Sequence, residues 1–234
     1  MGRILDVENL TVSYPDGTAA LHGISLALDE GGRAALTGPN GAGKTTLLLS
    51  IMGAVRFTGR VTVDGVALTS KTVHEVRGRC GMTFQNPDDQ LFMPTLLEDA
   101  AFGPLNQGFP PAEAEVRARA AIEAVGLKGF EPRPAHHASE GQKRAAALAT
   151  VLSMNVRLLL LDEPGAGLDF RSRQRLIELL AGRSESLLLA THDMDMVRAL
   201  CRRVVLLDDG LVAADGATER VLDDHALLAR HGLA

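Results

Sequence analysis

The hydrophobic positions along the first third of the chain change spacing between segments. Residues 4–14 alternate apolar and polar side chains, which predicts a half-buried strand, and the following Pro-Asp-Gly predicts a turn. A mostly apolar segment at residues 47–55 instead predicts a helix. Shorter strands are predicted over residues 24–28, 34–37, 59–65 and 79–85.

The middle and the end of the chain differ in pattern. Residues 86–152 are rich in alanine and show no strand pattern, whereas 112–125 and 141–154 have helical periodicity. Continuous apolar runs that alternate with helices are typical of parallel strands buried on both faces. We therefore expect one compact α/β unit interrupted by a helical insertion. The later strands are predicted over 157–162, 186–191 and 203–208, and the later helices over 171–182 and 193–201.

Composition narrows the class of protein. The chain has 234 residues, of which 46% are hydrophobic, so a disordered protein is excluded. A formal net charge of -5 argues against a nucleic-acid partner, because no basic field is available. Cys80 and Cys201 form no CxxC pair and are expected to be ordinary buried thiols in a reducing compartment. Without a signal-peptide pattern or a run of about 20 apolar residues, we expect a cytosolic chain.

A glycine-rich motif predicts the binding of nucleotide phosphates. Residues 38–45, here called the phosphate loop, read GPNGAGKT and fit GxxxxGK[ST] between a predicted strand and a predicted helix. The glycines let backbone N–H groups surround phosphates, Lys44 reaches the β- and γ-phosphates, and the Thr45 hydroxyl binds Mg²⁺. ATP with Mg²⁺ is the expected ligand. The candidate residues are Gly38, Pro39, Asn40, Gly41, Ala42, Gly43, Lys44, Thr45 and Thr46.

Three further candidates follow buried strands. Asp162 and Glu163 end the apolar run at 157–162, and ligands of open parallel sheets bind beyond the carboxyl ends of the strands. Asp162 is therefore expected to hold Mg²⁺, and Glu163 to orient or deprotonate the water that attacks the γ-phosphate. His192 follows the next apolar run, so we expect it at the same edge, in contact with the γ-phosphate.

A capping pattern marks the start of the second alanine-rich helix. Ser139 and Gln142 have the S-x-x-Q spacing of a capping box, with Ser139 as N-cap and Gln142 reaching back to its amide. Gly141 lies within the same turn. Taken alone, this pattern indicates a structural helix cap, although a capped helix start can also bind an anion.

The order of these motifs resembles the ATP-binding-cassette (ABC) ATPase family over essentially the whole chain. The resemblance implies a P-loop NTPase fold of α/β class. Its core sheet would be mostly parallel, with an N-terminal antiparallel β part and an inserted α-helical subdomain. The chain would then be a single ABC ATPase domain. Its nucleotide-binding core would cover about residues 1–85 and 155–234, and the helical subdomain about residues 86–154.

The same resemblance implies roles for residues that the chemistry alone does not assign. Tyr14 would stack on adenine, and Gln85 would contact Mg²⁺ and couple hydrolysis to transport. Residues 138–142, here called the signature, would bring Ser139, Gly141 and Gln142 to the γ-phosphate of ATP held by another subunit. Asp169 would cross the dimer interface. In this family two subunits close head-to-tail over two ATP molecules, and the second subunit here could be an identical copy or a paralogue.

Residues 85–92, which read QNPDDQLF, point to a subfamily. Together with residues 98–108 and the C-terminal segment, they resemble the ATPases of energy-coupling-factor transporters, which include cobalt and nickel importers and several vitamin importers. Asp88 and Asp89 are also compatible with a simple solvated turn. The resemblance implies an ATPase at the cytoplasmic face of the membrane, with a transmembrane coupling subunit near Gln85–Phe92. A cobalt or nickel importer is the first hypothesis.

Three alternatives stay open at this point: a vitamin importer, an ABC ATPase with no transport role, and a regulatory subunit that binds nucleotide without useful turnover. The last is motivated by departures from the family pattern. Ala138 and Glu140 replace the usual Leu and Gly of the signature, and Glu140 adds a carboxylate near an expected phosphate site. Gly165 and Phe170 replace the usual Thr and Pro. Activity is still expected, because the Ser139 hydroxyl and the Gly141 amide are present.

Overall fold

The computed structural model describes residues 2–233. Contacts within the chain divide it into two units. The first contains the chain up to Cys80, Arg157–Asp162 and the chain from Ser184 onward, and the second contains Gly81–Val156 and Glu163–Arg183. The sequence expectation assigned residues 163–183 to the core, whereas the contacts group them with the helical part.

Strands and helices alternate along the chain, as expected of an α/β fold. The strands are β1 (Arg3–Ser13), β2 (Ala19–Asp29), β3 (Arg33–Thr37), β4 (Thr58–Val63), β5 (Val66–Ala67), β6 (Cys80–Thr83), β7 (Leu158–Asp162), β8 (Ser186–Ala190), β9 (Arg203–Asp208) and β10 (Leu211–Ala217). The helices are α1 (Lys44–Ile51), α2 (Val73–Arg79), α3 (Leu96–Asn106), α4 (Pro111–Ala124), α5 (Glu140–Leu152), α6 (Phe170–Ala181), α7 (Met194–Leu200), α8 (Thr218–Leu222) and α9 (His225–Arg230).

An antiparallel sheet forms the N-terminal part of the first unit. Its strands lie in the order β2-β1-β4-β5, and β1 pairs antiparallel with both β2 and β4. Leu5 and Val7 of β1 are buried in alternation, and Leu10 and Val12 resume it after a register shift between Val7 and Leu10. The predicted half-buried strand and the antiparallel N-terminal part are confirmed.

The second sheet of this unit has a parallel centre. The strands β9, β3, β8 and β7 are neighbours in that order, and β3 pairs parallel with both β8 and β9. β7 also pairs parallel with β8, and β10 closes the edge antiparallel to β9. Every residue of β7 and β8 is buried, which explains why both read as continuous apolar runs. The predicted α/β class is confirmed.

Strand register brings three chain segments to one edge of this parallel sheet. Leu36 of β3 pairs with Ala190 of β8, and Ala190 also pairs with Asp162 of β7. The phosphate loop begins directly after the last residue of β3, and His192 lies two residues after the last residue of β8. The carboxyl ends of β3, β7 and β8 therefore meet at the same edge, as predicted for a ligand site.

Small side chains determine the packing of the second unit. Helix α3 packs against α4 and α5, and α4 also contacts α5. The buried faces of α4 and α5 are built mainly from alanine, which lets helix axes approach closely. The segment after Glu163 belongs here as well, because a Cβ placed on Gly141 would lie 3.5 Å from Leu168 Cδ2.

Several short elements were not predicted. Helices α2, α8 and α9 have five to seven residues, too few for a clear helical period. Helix α3 contains Pro104, and β10 is an edge strand with no buried residue. Among residues 2–233, no helix is long and apolar enough to cross a bilayer.

The two cysteines are free and buried, as predicted. Burial raises the pKa of both the Cys80 and the Cys201 thiol to about 12. The thiols stay protonated at neutral pH, so neither is a reactive nucleophile.

Candidate nucleotide-binding site

Two glycines of the phosphate loop are required by its backbone. Gly38 and Gly43 have φ angles of 148° and 98°, a range that L side chains rarely adopt. A Cβ on Gly38 would collide with the carbonyl oxygen of Leu207, and one on Gly43 would lie 2.6 Å from Leu21 Cδ2. At these two positions the loop has room for backbone only, which suits a loop whose backbone closely approaches a phosphate.

Lys44 begins helix α1 and is nearly buried, with 9% of its surface exposed. Its Nζ donates hydrogen bonds to the carbonyl oxygens of Gly38, at 2.7 Å, and Pro39, at 3.0 Å. The amino group is held inside the loop by these two bonds. It is positioned to exchange carbonyl partners for phosphate oxygens.

Thr45 and Asp162 meet at the end of β7. The Thr45 hydroxyl donates to Asp162 Oδ2 at 2.7 Å, and Asp162 is only 2% exposed. A hydroxyl and a carboxylate supply the oxygen ligands that Mg²⁺ prefers, and Mg²⁺ usually completes its shell with water and substrate phosphates. The residues present thus fit a Mg²⁺ ion bound together with a nucleotide, as the sequence predicts.

Tyr14 lies beside the helix that follows the phosphate loop. Its hydroxyl is 3.1 Å from Thr46 Oγ1. Tyr14 is part-exposed, and Thr46 is buried at the start of α1. The contact places an aromatic ring next to the loop, where an adenine could stack on it.

His192 lies at the predicted edge of the parallel sheet. It is exposed and follows the buried Thr191, while the next residue, Asp193, caps helix α7 by accepting from the Met196 N–H at 3.0 Å. His192 therefore lies in the short turn between β8 and the capped start of α7.

Glu163 has a strained backbone. Its φ is 47°, and the other non-glycine residues with positive φ in the described part of the chain are Asn9, Asp64 and Asp209. Asn and Asp tolerate this region, whereas a glutamate there costs about 1–2 kcal/mol. Glu163 is also 92% buried, being 8% exposed. Strained backbone of this kind is frequent at functional sites, and the sequence patterns alone did not indicate it at Glu163.

The signature helix begins as predicted. Gln142 N–H donates to Ser139 Oγ at 3.4 Å, and Ser139 N–H donates to Gln142 Oε1 at 2.9 Å, which completes the capping box. The capping prediction is confirmed.

The signature and Asp169 border one groove of the second unit. The groove has a volume of about 1010 Å³, and its walls include Ser139, Gly141, Gln142 and Asp169. Asp169 is exposed and caps helix α6 by accepting from the Ser172 N–H at 2.7 Å, a hydrogen bond that lowers its pKa. The fold thus brings together two motifs that are 27 residues apart in the chain.

Gln85 lies on an exposed loop next to apolar side chains. Phe84, Phe92, Phe102 and Leu105 are all at least 36% exposed, and the rings of Phe92 and Phe102 meet edge-on with centroids 5.0 Å apart. Large apolar side chains that stay exposed together, as the Phe92 and Phe102 rings do, are typical of an interaction surface. Phe102 and Leu105 lie on α3, an element that the sequence patterns did not predict.

The acidic residue in the signature has a basic partner. Glu140 Oε1 is 3.2 Å from Arg144 Nη2, one helical turn later, and the Glu140 side chain is 55% exposed. The pairing and the exposure both reduce its effect on a nearby anion. The sequence analysis identified Glu140 as an unfavourable charge near an expected phosphate site. It did not identify Arg144 as its partner, although the two residues have the i,i+4 spacing of a helical ion pair.

We expect Glu140→Gly to leave ATP hydrolysis unchanged or to speed it by no more than about threefold, because the carboxylate is already paired and solvated. The free energy of unfolding should fall by less than about 1 kcal/mol, because the full cost of glycine applies to helix interiors and Glu140 is the first residue of α5. The check is steady-state ATP hydrolysis by the wild type, by Glu140→Gly and by Glu140→Gln, which keeps the side-chain volume but removes the charge. A loss of more than about tenfold in both variants would show that the carboxylate itself takes part in turnover.

Comparison with known proteins agrees with this geometry. The ABC transporter family model matches residues 21–166. The cobalt import ATP-binding protein CbiO of Rhodobacter capsulatus is 44% identical over all of this chain and 85% of its own length. The energy-coupling factor transporter ATP-binding protein EcfA of Methanocaldococcus jannaschii is 42% identical over 94% of this chain and 81% of its own length.

Two solved structures share the fold. CbiO1 of Clostridium perfringens, part of the transporter complex CbiONQ, has a TM-score of 0.82 and 33% identity, covering 100% of this chain and 96% of its own. The ATP-binding cassette MJ0796, solved as a dimer with ADP and phosphate, has a TM-score of 0.84 and 25% identity, covering 92% and 98%. The chain therefore belongs to the ABC transporter family and is one of its ATP-binding subunits, an ATPase coupled to transport.

Proposed function

We propose that this chain drives an importer of energy-coupling-factor type by hydrolysing ATP in a closed dimer, with cobalt as the first candidate solute. The pair of Thr45 and Asp162 carries the proposal. Its 2.7 Å hydrogen bond lies at the first turn of α1, beside the buried Lys44. This is the arrangement in which a metal–triphosphate can displace a hydroxyl–carboxylate contact and take both oxygens as ligands.

The roles within one subunit follow from this pair. The phosphate loop and Lys44 would bind the β- and γ-phosphates, Thr45 and Asp162 would hold Mg²⁺, and Tyr14 would stack on adenine. Mg²⁺ would supply charge neutralisation for the phosphates. We assign to Glu163 the orientation or deprotonation of the attacking water, to His192 a contact with the γ-phosphate, and to Gln85 a contact with Mg²⁺.

A second subunit would complete the catalytic site. Ser139, Gly141 and Gln142 would bind the γ-phosphate held by the partner, and Asp169 would cross the interface. The groove that these four residues border supports a shared role, as does the dimeric state of the neighbouring cassette structure. A second copy of this chain is the simplest partner, because one chain carries the whole residue set; a paralogue is the alternative.

A membrane subunit would dock near Gln85–Phe92, with the chain bound peripherally at the cytoplasmic face. The exposed rings of Phe92 and Phe102 support this position, because a coupling helix needs an apolar surface to bury. Cobalt is supported by the names of the CbiO relatives and energy-coupling-factor transport by EcfA. Nickel or a vitamin would require a different solute-binding subunit, not a different ATPase.

Two measurements test the proposal. Turnover of the purified chain should rise more than linearly with protein concentration, because only dimers are complete. Co-expression with membrane subunits of energy-coupling-factor type should yield a complex that takes up radioactive cobalt into vesicles in the presence of ATP. Uptake of nickel or a vitamin instead would replace the solute, and failure to co-purify with any membrane subunit would favour an ABC ATPase without a transport role.

A further inference from the structure

The loop that carries Gln85 has little regular structure of its own. It follows β6 and contains a single 3-10 turn at Pro87–Asp89, which Asn86 caps by accepting from the Asp88 N–H at 3.2 Å. Phe84, Gln85, Asn86 and Asp88 are exposed. A loop of this kind would be mobile if only its ends were held.

Gln90 joins both ends of this loop to helix α5. Its Oε1 accepts from the Phe84 N–H at 3.0 Å, across the base of the loop. Its Nε2 donates to the carbonyl oxygen of Ala147 at 2.9 Å and to Thr150 Oγ1 at 2.7 Å. The amide therefore uses its acceptor on the loop and both of its donor hydrogens on α5.

Two basic side chains of α5 hold the middle of the loop. Lys143 Nζ lies 2.6 Å from Asp88 Oδ1, and Arg144 Nη1 donates to the carbonyl oxygen of Gln85 at 3.0 Å. Lys143 and Arg144 are mostly buried, with 17% and 16% of their side chains exposed. Both residues directly follow Gln142, the last residue of the signature.

We propose, on the basis of the function assigned above, that Gln90, Lys143 and Arg144 are positioning residues that make the Gln85 loop and the signature helix one rigid body. Gln85 and Ser139 would then move together. A displacement imposed on the loop by a membrane partner would reach the signature, and closure of the signature on a partner's ATP would reach the loop. These three residues touch no reacting atom.

The contacts differ in expected importance. An ion pair with one exposed partner, such as Lys143–Asp88, contributes little by itself. Gln90 should matter most, because removal of its side chain takes away three hydrogen bonds at once, and the loop loses its connection at the base. Gln90 is therefore the first position to change.

The primary experiment compares Gln90→Ala with Gln90→Glu in the full chain. Glutamate keeps an acceptor for the Phe84 N–H but has no hydrogen to donate to Ala147 or Thr150. We expect kcat for ATP hydrolysis to fall about tenfold in both variants, with the KM for Mg-ATP within about twofold, because the phosphate loop is unchanged. An unchanged kcat, or a parallel loss of kcat, nucleotide binding and melting temperature, would overturn the proposal.

Hydrogen exchange provides a readout that does not depend on turnover. In Gln90→Ala, amides of residues 84–90 should exchange at least about tenfold faster, while amides of the phosphate loop exchange as in the wild type. In Gln90→Glu, the Phe84 amide should stay protected. Unchanged exchange at residues 84–90 would overturn the rigid link even if the wild type is an active ATPase. Faster exchange in a chain without ATPase activity would instead refute the proposed function alone.

A charge exchange tests the middle of the loop. Lys143→Glu places two carboxylates together and should lower kcat by about threefold, whereas Lys143→Glu combined with Asp88→Lys restores an ion pair and should recover most of that loss. A purely structural role of Lys143 in α5 would not be rescued by a change in the loop. Failure of the double variant to recover would remove Lys143 from the set of positioning residues.

Discussion

Glu163→Gln should reduce ATP hydrolysis by at least about 100-fold, because an amide cannot accept a proton from the attacking water. ATP should remain bound, since Lys44 and the phosphate loop are unchanged. The substitution preserves the side-chain shape and the strained backbone, so the melting temperature should stay close to that of the wild type. With hydrolysis blocked, the ATP-bound dimer should accumulate.

The measurement is single-turnover hydrolysis together with size-exclusion chromatography in the presence of Mg-ATP. Glu219→Gln is a matched control, because Glu219 lies exposed in the first turn of α8 and the same chemical change there should leave turnover unaltered. Hydrolysis at the wild-type rate in Glu163→Gln would refute the catalytic assignment of Glu163. Loss of ATP binding in that variant would show that the carboxylate acts mainly in ligand binding.

Lys44→Ala should weaken ATP binding itself, by about 100-fold. A charge-assisted contact with phosphate contributes about 1.5–3 kcal/mol, and the alanine variant has no ammonium group to make it. Because the Gly38 carbonyl would lose a donor, the loop should also become less ordered. The effect differs in kind from that of Glu163→Gln, which acts on turnover and leaves affinity intact.

Equilibrium binding of a fluorescent ATP analogue measures this change. Lys71→Ala supplies the control, because Lys71 is an exposed lysine that precedes α2 in the same unit. An ATP affinity equal to that of the wild type in Lys44→Ala would contradict the assignment of the phosphate loop. Melting temperatures of all three proteins separate a binding defect from unfolding.

Elements with a strong local signal were predictable. The alternation of β1 and the unbroken apolar runs of β7 and β8 each reflect how many faces of a strand are buried. The phosphate loop and the capping box at Ser139 were equally clear, because both depend on backbone geometry over only a few residues. The short helices α2, α8 and α9 and the exposed strand β10 had no such signal.

Contacts between distant residues were not predictable in the same way. Nothing local in the chain indicates that Gln90 bonds to Thr150, that Arg144 reaches the Gln85 carbonyl, or that the Tyr14 hydroxyl meets Thr46. These contacts depend on where two elements come to lie after packing. Residue types and spacing leave many such pairings open.

The sequence by itself determined which groups are available for chemistry here: a glycine-rich loop, a hydroxyl and a carboxylate that could bind Mg²⁺, and a second acid after a buried strand. It could do so because each motif depends on residue identity and on local backbone conformation. Only the tertiary structure decided the left-handed backbone at Glu163 and the connection of the Gln85 loop to α5. These features depend on how separate segments of the chain pack against one another, and the free energy of that packing cannot be inferred from any one segment alone.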